Sequence, residues 1–378
     1  MSLPLRRLAV ENYRSLRKLA LPVERLTVFA GANGAGKTNL YRALQLVQAS
    51  ALGTLAEDLA AEGGMDSAFW AGERPRGPAQ IRLCVGLGLT PGAPDFEYEV
   101  VIGFPVRGVS AAFELEPQVK SESLVQRHGR RMVKLLDREG PRVAVRDADG
   151  VLGEAGEGLL ASETALGRLA DPGRYPDLDL VRRTLADWRF HHDLRTDSSS
   201  PLRRPCLAVT SPTLSSDGGN LAAVFATLAH IREETTDLDA AVADAFPGAQ
   251  LDIPHPGRTA SFGLVFPDYP QRVFEAHELS DGTLRFLGLA GALLSYRPPA
   301  FIALNEPEAS LHPDLLEPLA RMIVAASDRA QIWIVTHSER LAAALERFGA
   351  VKPRRVVKAA GATTIEGLRF GMFDDEEE

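Results

Sequence analysis

The stretch "GANGAGKTN", residues 31–39, fits the spacing G-x-x-x-x-G-K-[ST] through Gly31, Gly36, Lys37 and Thr38. Glycines at those places let backbone N–H groups curl around a phosphate. Lys37 offers a point charge to the β and γ oxygens, and the Thr38 hydroxyl can sit on Mg2+. Asn33, Gly34 and Asn39 belong to the same nucleotide-binding loop, and the ordinary work of the two asparagines is turn and capping chemistry. No N-K-x-D string follows to read guanine, so ATP is favoured over GTP. A second stretch, "FIALNEPEASLHP" (301–313), ends an apolar run on Asn305 and Glu306. Glu306 is a carboxylate able to orient and deprotonate a water for in-line attack on a phosphate.

Such groups need rigid elements behind them. "LRRLAVENY", "LRKLALPV" and "RLTVFAG" read as strands, and "KTNLYRALQLVQ" as a helix whose positive dipole end faces the glycine loop. Residues 80–150 read as β-rich, through "QIRLCVGLGL", "FEYEVVIGF", "RMVKLLDREG" and "RVAVRDADG". A helix "DLVRRTLADWRF" follows, then a loop "TDSSSPLRRP", helices "NLAAVFATLAHIREE" and "DLDAAVADAF", and strands "RTASFGLVF" and "RVFEAHEL". The last third alternates helix "TLRFLGLAGALLS", strand "FIALNE", helix "PDLLEPLARMIVAA", strand "QIWIVT", helix "ERLAAALERF" and strand "RRVVKAA". Apolar strands alternating with helices indicate a parallel sheet covered on both sides.

Composition is that of a globular chain, with 45% apolar and 24% charged residues over 378 positions. Two cysteines, Cys84 and Cys206, have no CxxC pairing, which argues for a reducing compartment and against a disulfide framework or zinc site. No apolar run approaches the ~20 residues a membrane helix needs, and the amino end lacks a signal-peptide core, so no membrane partner and a cytoplasmic location are expected. The net charge of −8 disfavours a surface that coats nucleic acid indiscriminately, and "DDEEE" at 374–378 reads as a solvated tail.

The order of the later motifs narrows the reading. "HELSDGTLR" places Leu279, Ser280, Asp281 and Gly282 just before a helix, and "QIWIVTHSERL" ends a strand on His337. An earlier Ser-Asp-Gly, at Ser216, Asp217 and Gly218, also precedes a helix; only the later copy is followed by one helix and then the acidic strand. In that order the motifs resemble those of ABC-type ATPases: phosphate loop, signature at Ser280, acidic strand, a D-loop over Ser310, Leu311, His312 and Pro313, and a switch histidine at His337. His312 stands where the D-loop usually has Asp. "LAVENYRSLRKLAL", "NEPEASLHP", "SPLRRP" and "SDGGNLAAVFATL" resemble the RecF/SMC-like branch, in particular compact stand-alone AAA-family ATPases related to the ATPase half of OLD-family proteins. The resemblance covers about two thirds of the chain and fits residues 90–175 poorly.

It implies an α/β fold of the P-loop NTPase class, ABC/RecF-like: a mixed sheet with helices on both faces, a β-rich amino-terminal lobe (1–150), a helical insertion (151–250) and a carboxy-terminal lobe (251–378). It also implies ATP and Mg2+ as cofactors and an ATP-dependent, head-to-tail homodimer. Each site would join Gly31 to Thr38, Asn305, Glu306 and His337 of one subunit to Ser280 and Gly282 of the other. The catalytic set is Glu306, His337 and Lys37; the metal set is Thr38 and Asn305. No Q-loop glutamine is evident, and Asp66 or a water is the substitute. Tyr13 and Arg14 are candidates for the adenine, against core packing for Tyr13. Past residue 350 too little chain remains for the nuclease domain of OLD proteins.

Asn305 occupies the place of the carboxylate that supports Mg2+. Two unit charges ~4 Å apart at an effective dielectric of 20 interact by about 4 kcal/mol. A role through a metal-bound water lowers the stake to about 10- to 100-fold in affinity or activity. Slow, Mg2+-dependent hydrolysis is therefore expected. Glu308, beyond a Pro, is expected to face a dimer partner or solvent, and His312 to be structural. In "RFHHD", His191 and His192 point to opposite faces of a strand, so a metal shared with Asp193 is disfavoured. Arg6, Arg7, Arg14, Arg17, Lys18, Arg203, Arg204 and "KPRR" (352–355) are candidate DNA contacts, with solvated surface the commoner role. The leading expectation is an ATP-driven dimeric switch in DNA repair, genome maintenance or phage defence, with DNA or an effector encoded nearby as partner. Its rivals are a non-hydrolysing ATP-binding regulator of a partner effector and a transporter motor subunit.

Overall fold

Three strands open the computed structural model, which describes residues 3–72, 79–89, 95–105, 113, 115–129, 131–155, 157–192 and 194–368. They are β1 (Leu5–Tyr13), β2 (Leu16–Pro22) and β3 (Leu26–Ala30). After the glycine loop, α1 (Lys37–Leu52) begins behind Gly36, whose φ of 93° is left-handed. α2 (Leu55–Ala61) and α3 (Gly64–Ala68) follow, then β4 (Gln80–Leu87), β5 (Phe96–Gly103), β6 (Gln118–His128), β7 (Arg131–Glu139), β8 (Arg142–Arg146) and β9 (Leu152–Ala155). α4 (Ala165–Arg168) and α5 (Pro176–Ala186) close this stretch.

The chain divides into two compact units. One comprises Met1–Glu24, Gly31–Trp188 and Arg354–Glu378; the other comprises Arg25–Ala30 and Arg189–Pro353.

In the first unit, an antiparallel sheet runs β2-β1-β4-β5-β6-β7-β8-β9. Alternation places Ile81, Leu83, Val85 and Leu87 inside, and α1 packs against β1, β4 and α5. β6 carries a charge inward. Glu122 is buried and accepts the Tyr98 hydroxyl at 3.0 Å and the N–H groups of Ala165 (2.7 Å) and Leu166 (2.8 Å), with the Arg138 guanidinium 3.6 Å away. Burial raises its pKa, and the two N–H bonds and Arg138 oppose that. Charges on the strands, most of them half-buried, pair among themselves: Arg7 and Arg127 with Glu97, and Arg82 and Lys18 with Glu11.

The second unit is built on parallel strands. β10 (Arg189–His191) lies beside β16 (Phe301–Asn305), β16 beside β17 (Gln331–Thr336), and β17 beside β3. β3 and β17 are buried at every position, which is why they read as unbroken apolar runs. Small antiparallel pieces precede them: β11 (Cys206–Leu207) with β13 (Thr259–Ala260), and β12 (Gln250–Asp252), β14 (Gly263–Val265) and β15 (Val273–Glu275) together. The helices are α6 (Leu221–Thr227), α7 (Thr236–Ala245), α8 (Asp281–Leu294), α9 (Leu316–Ala326) and α10 (Glu339–Gly349). The hairpin β18 (Arg354–Ala359) and β19 (Ala362–Ile365) belongs to the first unit. Its turn puts both Ala360 (φ 47°) and Gly361 (φ 81°) in the left-handed region.

Local differences from the sequence reading have local causes. The helix "DLVRRTLADWRF" stops at Ala186, and Arg189 and Phe190 turn into β10. "NLAAVFATLAHIREE" is α6 followed by a π turn, Leu228–Arg232, that ends where Glu233 takes φ 53°. β6, β9, β11, β12 and β19 and the short helices α2, α3 and α4 were not expected, and "RTASFGLVF" is two strands, β13 and β14. Asp193 and the "DDEEE" tail lie outside the described residues, among which no helix is long and apolar enough to cross a membrane.

His191 is buried, while His192 is exposed, as opposite faces of a strand require. Desolvation pushes the His191 pKa down to about 4, with Arg189 adding to the effect. The folded value lies below the unfolded ~6.5, so its contribution to stability is complete above pH ~6.5 and is lost as the pH falls toward 4. Denaturant unfolding between pH 7 and 4 should show a loss of up to about 3 kcal/mol from this group. The loss should be absent in His191→Leu; an unchanged slope in that variant would refute the assignment.

Candidate active site

The phosphate loop follows β3 directly. At its tip Asn33 and Gly34 are exposed; at its base Lys37 is buried, its Nζ donating to the carbonyls of Gly31 (2.7 Å) and Ala32 (2.8 Å). A Cβ on Gly31 would run into the Val356 carbonyl. One on Gly36 would meet the side chains of Thr363 and Ser15, so glycine is required there by space as well as by φ. The buttress is a hydrogen-bonded group. Thr363 Oγ1 donates to the Ala35 carbonyl at 2.8 Å and lies 2.6 Å from Ser15 Oγ, and the Asn39 amide donates to Ser15 Oγ at 2.7 Å. Asn39 thus braces the loop from behind. Thr38 is half-buried in the first turn of α1.

Tyr13 and Arg14 are both held by Glu62: the Tyr13 hydroxyl at 2.8 Å, and the Arg14 guanidinium also at 2.8 Å. Tyr13 is fully buried, so core packing accounts for it. Asp66 sits exposed in the first turn of α3.

The second unit assembles the acidic strand end. In register, Asn305 lies opposite Val335 and Thr336 opposite Ala30, so β16, β17 and β3 all finish at one edge. Glu306 leaves β16 in the left-handed region (φ 50°), a conformation that costs a non-glycine residue about 1–3 kcal/mol. Its N–H donates to the Val335 carbonyl at 2.7 Å. Its own carbonyl accepts from Ala309 N–H (3.0 Å) and from Arg285 of α8 (3.3 Å). His337 Nδ1 stands 3.6 Å from Glu306 Oε1 and 3.2 Å from Glu308 Oε1. Asn305 Oδ1 is buried and takes no hydrogen bond.

Glu308 corrects the sequence reading. It is buried, because the Pro307 turn folds it back under the end of β17, where Thr336 and the N–H groups of His337 and Ser338 all donate to it.

Ser280 caps α8 by accepting the Thr283 N–H at 3.2 Å. Gly282 packs against the 310–312 segment, where a Cβ would come 3.0 Å from the Ser310 carbonyl. Arg203, one of the candidate DNA contacts, is instead a clamp on this turn, bonding the Leu279 carbonyl (2.7 Å), the Asp281 carboxylate (2.5 Å) and the Thr196 carbonyl (2.8 Å). The earlier Ser216-Asp217-Gly218 is a tight turn closed by Asp217 on the Gly219 N–H, two residues short of α6. His312 is exposed and caps the 3-10 turn Pro313–Leu315. Arg6, Arg7, Lys18 and Arg354 are likewise engaged by protein carbonyls or carboxylates.

Residues 161–343 match the family described as "AAA domain, putative AbiEii toxin, Type IV TA system". Over 43 residues the chain is 51% identical to the OLD nuclease of Thermus scotoductus, a match that spans 11% of this chain and 8% of that protein. Among solved structures it is similar to an Smc head bound to the C-winged helix domain of ScpA. The TM-score is 0.51 and the identity 15%, over 97% of this chain and 98% of that one. It is also similar to an Smc head with an extended coiled coil bound to the C-terminal domain of ScpA, from Pyrococcus furiosus. There the TM-score is 0.50 and the identity 13%, over 96% of both chains. At such identities the likeness is one of fold. The chain is an α/β protein similar to the ABC-type, RecF/SMC-like ATPases and related to OLD, and these likenesses support an ATP-binding ATPase.

The buttress behind the loop can be tested directly. Thr363→Val removes a buried donor to the Ala35 carbonyl and should lower the unfolding free energy by about 1–3 kcal/mol. Gly36→Ala, forced into a left-handed φ against two side chains, should cost at least as much. Denaturant melts of both measure this, and wild-type midpoints would show that the network is idle.

Proposed function

We propose that this chain binds ATP with Mg2+ and hydrolyses it slowly, as a head-to-tail homodimer that acts as a switch in DNA repair, genome maintenance or phage defence. The observation that carries the reading is the meeting of Glu306 and His337 at the ends of the adjacent parallel strands β16 and β17, next to the strand that runs into the glycine loop. Ligands of open parallel sheets bind at this edge. The loop N–H groups and Lys37 would hold the phosphates, and Glu306 would orient and deprotonate the attacking water.

The residues present fit Mg2+. Asn305 offers a buried acceptor with no partner of its own, able to take a hydrogen bond from a metal-bound water, and Thr38 has a hydroxyl at the start of α1. An ion held there would supply positive charge to the phosphates. The turn at Ser280 and Gly282, exposed at Ser280, opens α8 with N–H groups that would meet the γ-phosphate of a second copy. A DNA role rests on the family likeness, and it finds little support in the basic residues of β1 and β2, most of which are paired.

A non-hydrolysing ATP-binding regulator is the second reading, favoured by one observation, the neutral amide at 305. Phosphate release separates the two. Glu306→Gln should slow turnover about 100- to 10,000-fold and Lys37→Ala should abolish tight ATP binding. Equal rates in wild type and both variants would remove the enzyme reading, and ATP-dependent dimerisation without phosphate release would establish the regulator. Asn305→Asp should raise turnover about 10- to 100-fold if the amide acts as a brake.

A further inference from the structure

Glu308 has no role in the reading above, yet its side chain is only 5% exposed, against 35% for Glu306. Its Oε1 accepts from Thr336 Oγ1 at 2.5 Å and from the N–H groups of His337 (2.9 Å) and Ser338 (3.2 Å). The same oxygen lies 3.2 Å from His337 Nδ1. A carboxylate oxygen can only accept, so a neutral His337 ring in this contact carries its proton on Nδ1 and leaves Nε2 bare. One buried atom thereby holds the backbone N–H of His337 and stands within 3.2 Å of its ring.

We propose that Glu308 is the positioning residue for His337: it selects the Nδ1–H tautomer and fixes the ring so that Nε2 is the nitrogen presented to the γ-phosphate and the attacking water. The proposal rests on the reading of His337 as part of an ATPase site. Glu306, farther from the ring and more exposed, is left to act on the water. A carboxylate that orients a functional imidazole through its second nitrogen is worth about 10- to 100-fold where such partners have been removed. The competing role is purely structural, because the same carboxylate sits at the amino end of α10. That helix has its own cap, however: Ser338 Oγ accepts the Leu341 N–H at 3.2 Å.

The two roles part under mutation of the full chain. Imidazole nitrogen NMR on histidine-labelled protein, with His337 assigned by its loss in His337→Gln, should show wild-type Nδ1 protonated and Nε2 bare. Glu308→Ala should abolish that pattern and lower kcat for ATP about 10- to 100-fold with KM changed less than about threefold. Ser338→Ala, which weakens only the helix cap, should keep the spectrum and hold kcat within about threefold of wild type. Glu308→Met keeps the side-chain length without an acceptor oxygen; should the alanine variant not fold, it reads the same loss of the Nδ1–H pattern in the His337 nitrogens. A wild-type His337 spectrum in every folded Glu308 variant overturns the proposal, as does a kcat loss in Ser338→Ala equal to that in Glu308→Ala. Because the spectrum needs no turnover, an inactive wild type would refute the ATPase reading and leave the tautomer assignment standing.

Discussion

Three parallel strands buried on both faces can carry polar chemistry only where they stop. β3, β17 and β16 are such strands, and their register aligns the ends: Ala30 with Thr336, and Val335 with Asn305. An ionised side chain inside them would be stripped of water. The glycine loop, His337 and the Asn305–Glu306 pair are therefore the next residues after the apolar runs. The rest of the second unit serves to hold these three exits in place, and its helices supply the apolar cover that lets the strands be so uniformly hydrophobic.

How the exits are held is a matter of carbonyls. Glu306 takes a left-handed φ, and its carbonyl is fixed by Ala309 N–H and by Arg285, which reaches from α8 and also bonds the Leu194 carbonyl. The amino end of α8 is clamped by Arg203, and Gly282 lies against the Ser310 carbonyl. The signature turn, the strained Glu306 and the 310–312 segment are thus one hydrogen-bonded body. Strain of this kind persists only where neighbouring contacts over-determine it, and Arg285, the Ala309 N–H and the Val335 carbonyl do so here.

Periodicity made the strands and helices of the last third legible, because each element is long and its apolar pattern unbroken. The phosphate loop was legible for a different reason: its glycines are demanded by φ and by close approach, which few other sequences satisfy. β6 escaped notice because its inward face carries Glu122 between Val119 and Leu124, breaking the apolar alternation with a charge that only the N–H groups of Ala165 and Leu166 explain. β19 is four residues long and brings Thr363 to the loop from more than 300 positions away; the Ala360-Gly361 turn was its one local signal. Arg203 looked like free surface charge because its carboxylate partner, Asp281, and the Leu279 carbonyl lie more than 70 residues later in the chain. Glu308 was misplaced because chain direction after a proline cannot be read without the strand it folds beneath.

Electrostatics give the amide at 305 a context that the motif alone does not. Glu306 and Glu308 already approach one imidazole, and Glu308 keeps its other oxygen buried and without a hydrogen bond. Like charges gathered in a partly buried site repel by several kcal/mol at short range. A carboxylate at 305 would add a third such charge within four residues, which a divalent ion could offset only while bound. With the amide, the strand end carries two carboxylates beside His337 and a neutral acceptor at 305. The amide thus spares the strand end a third like charge, and under the proposed reading the same electrostatic term would weaken its hold on Mg2+.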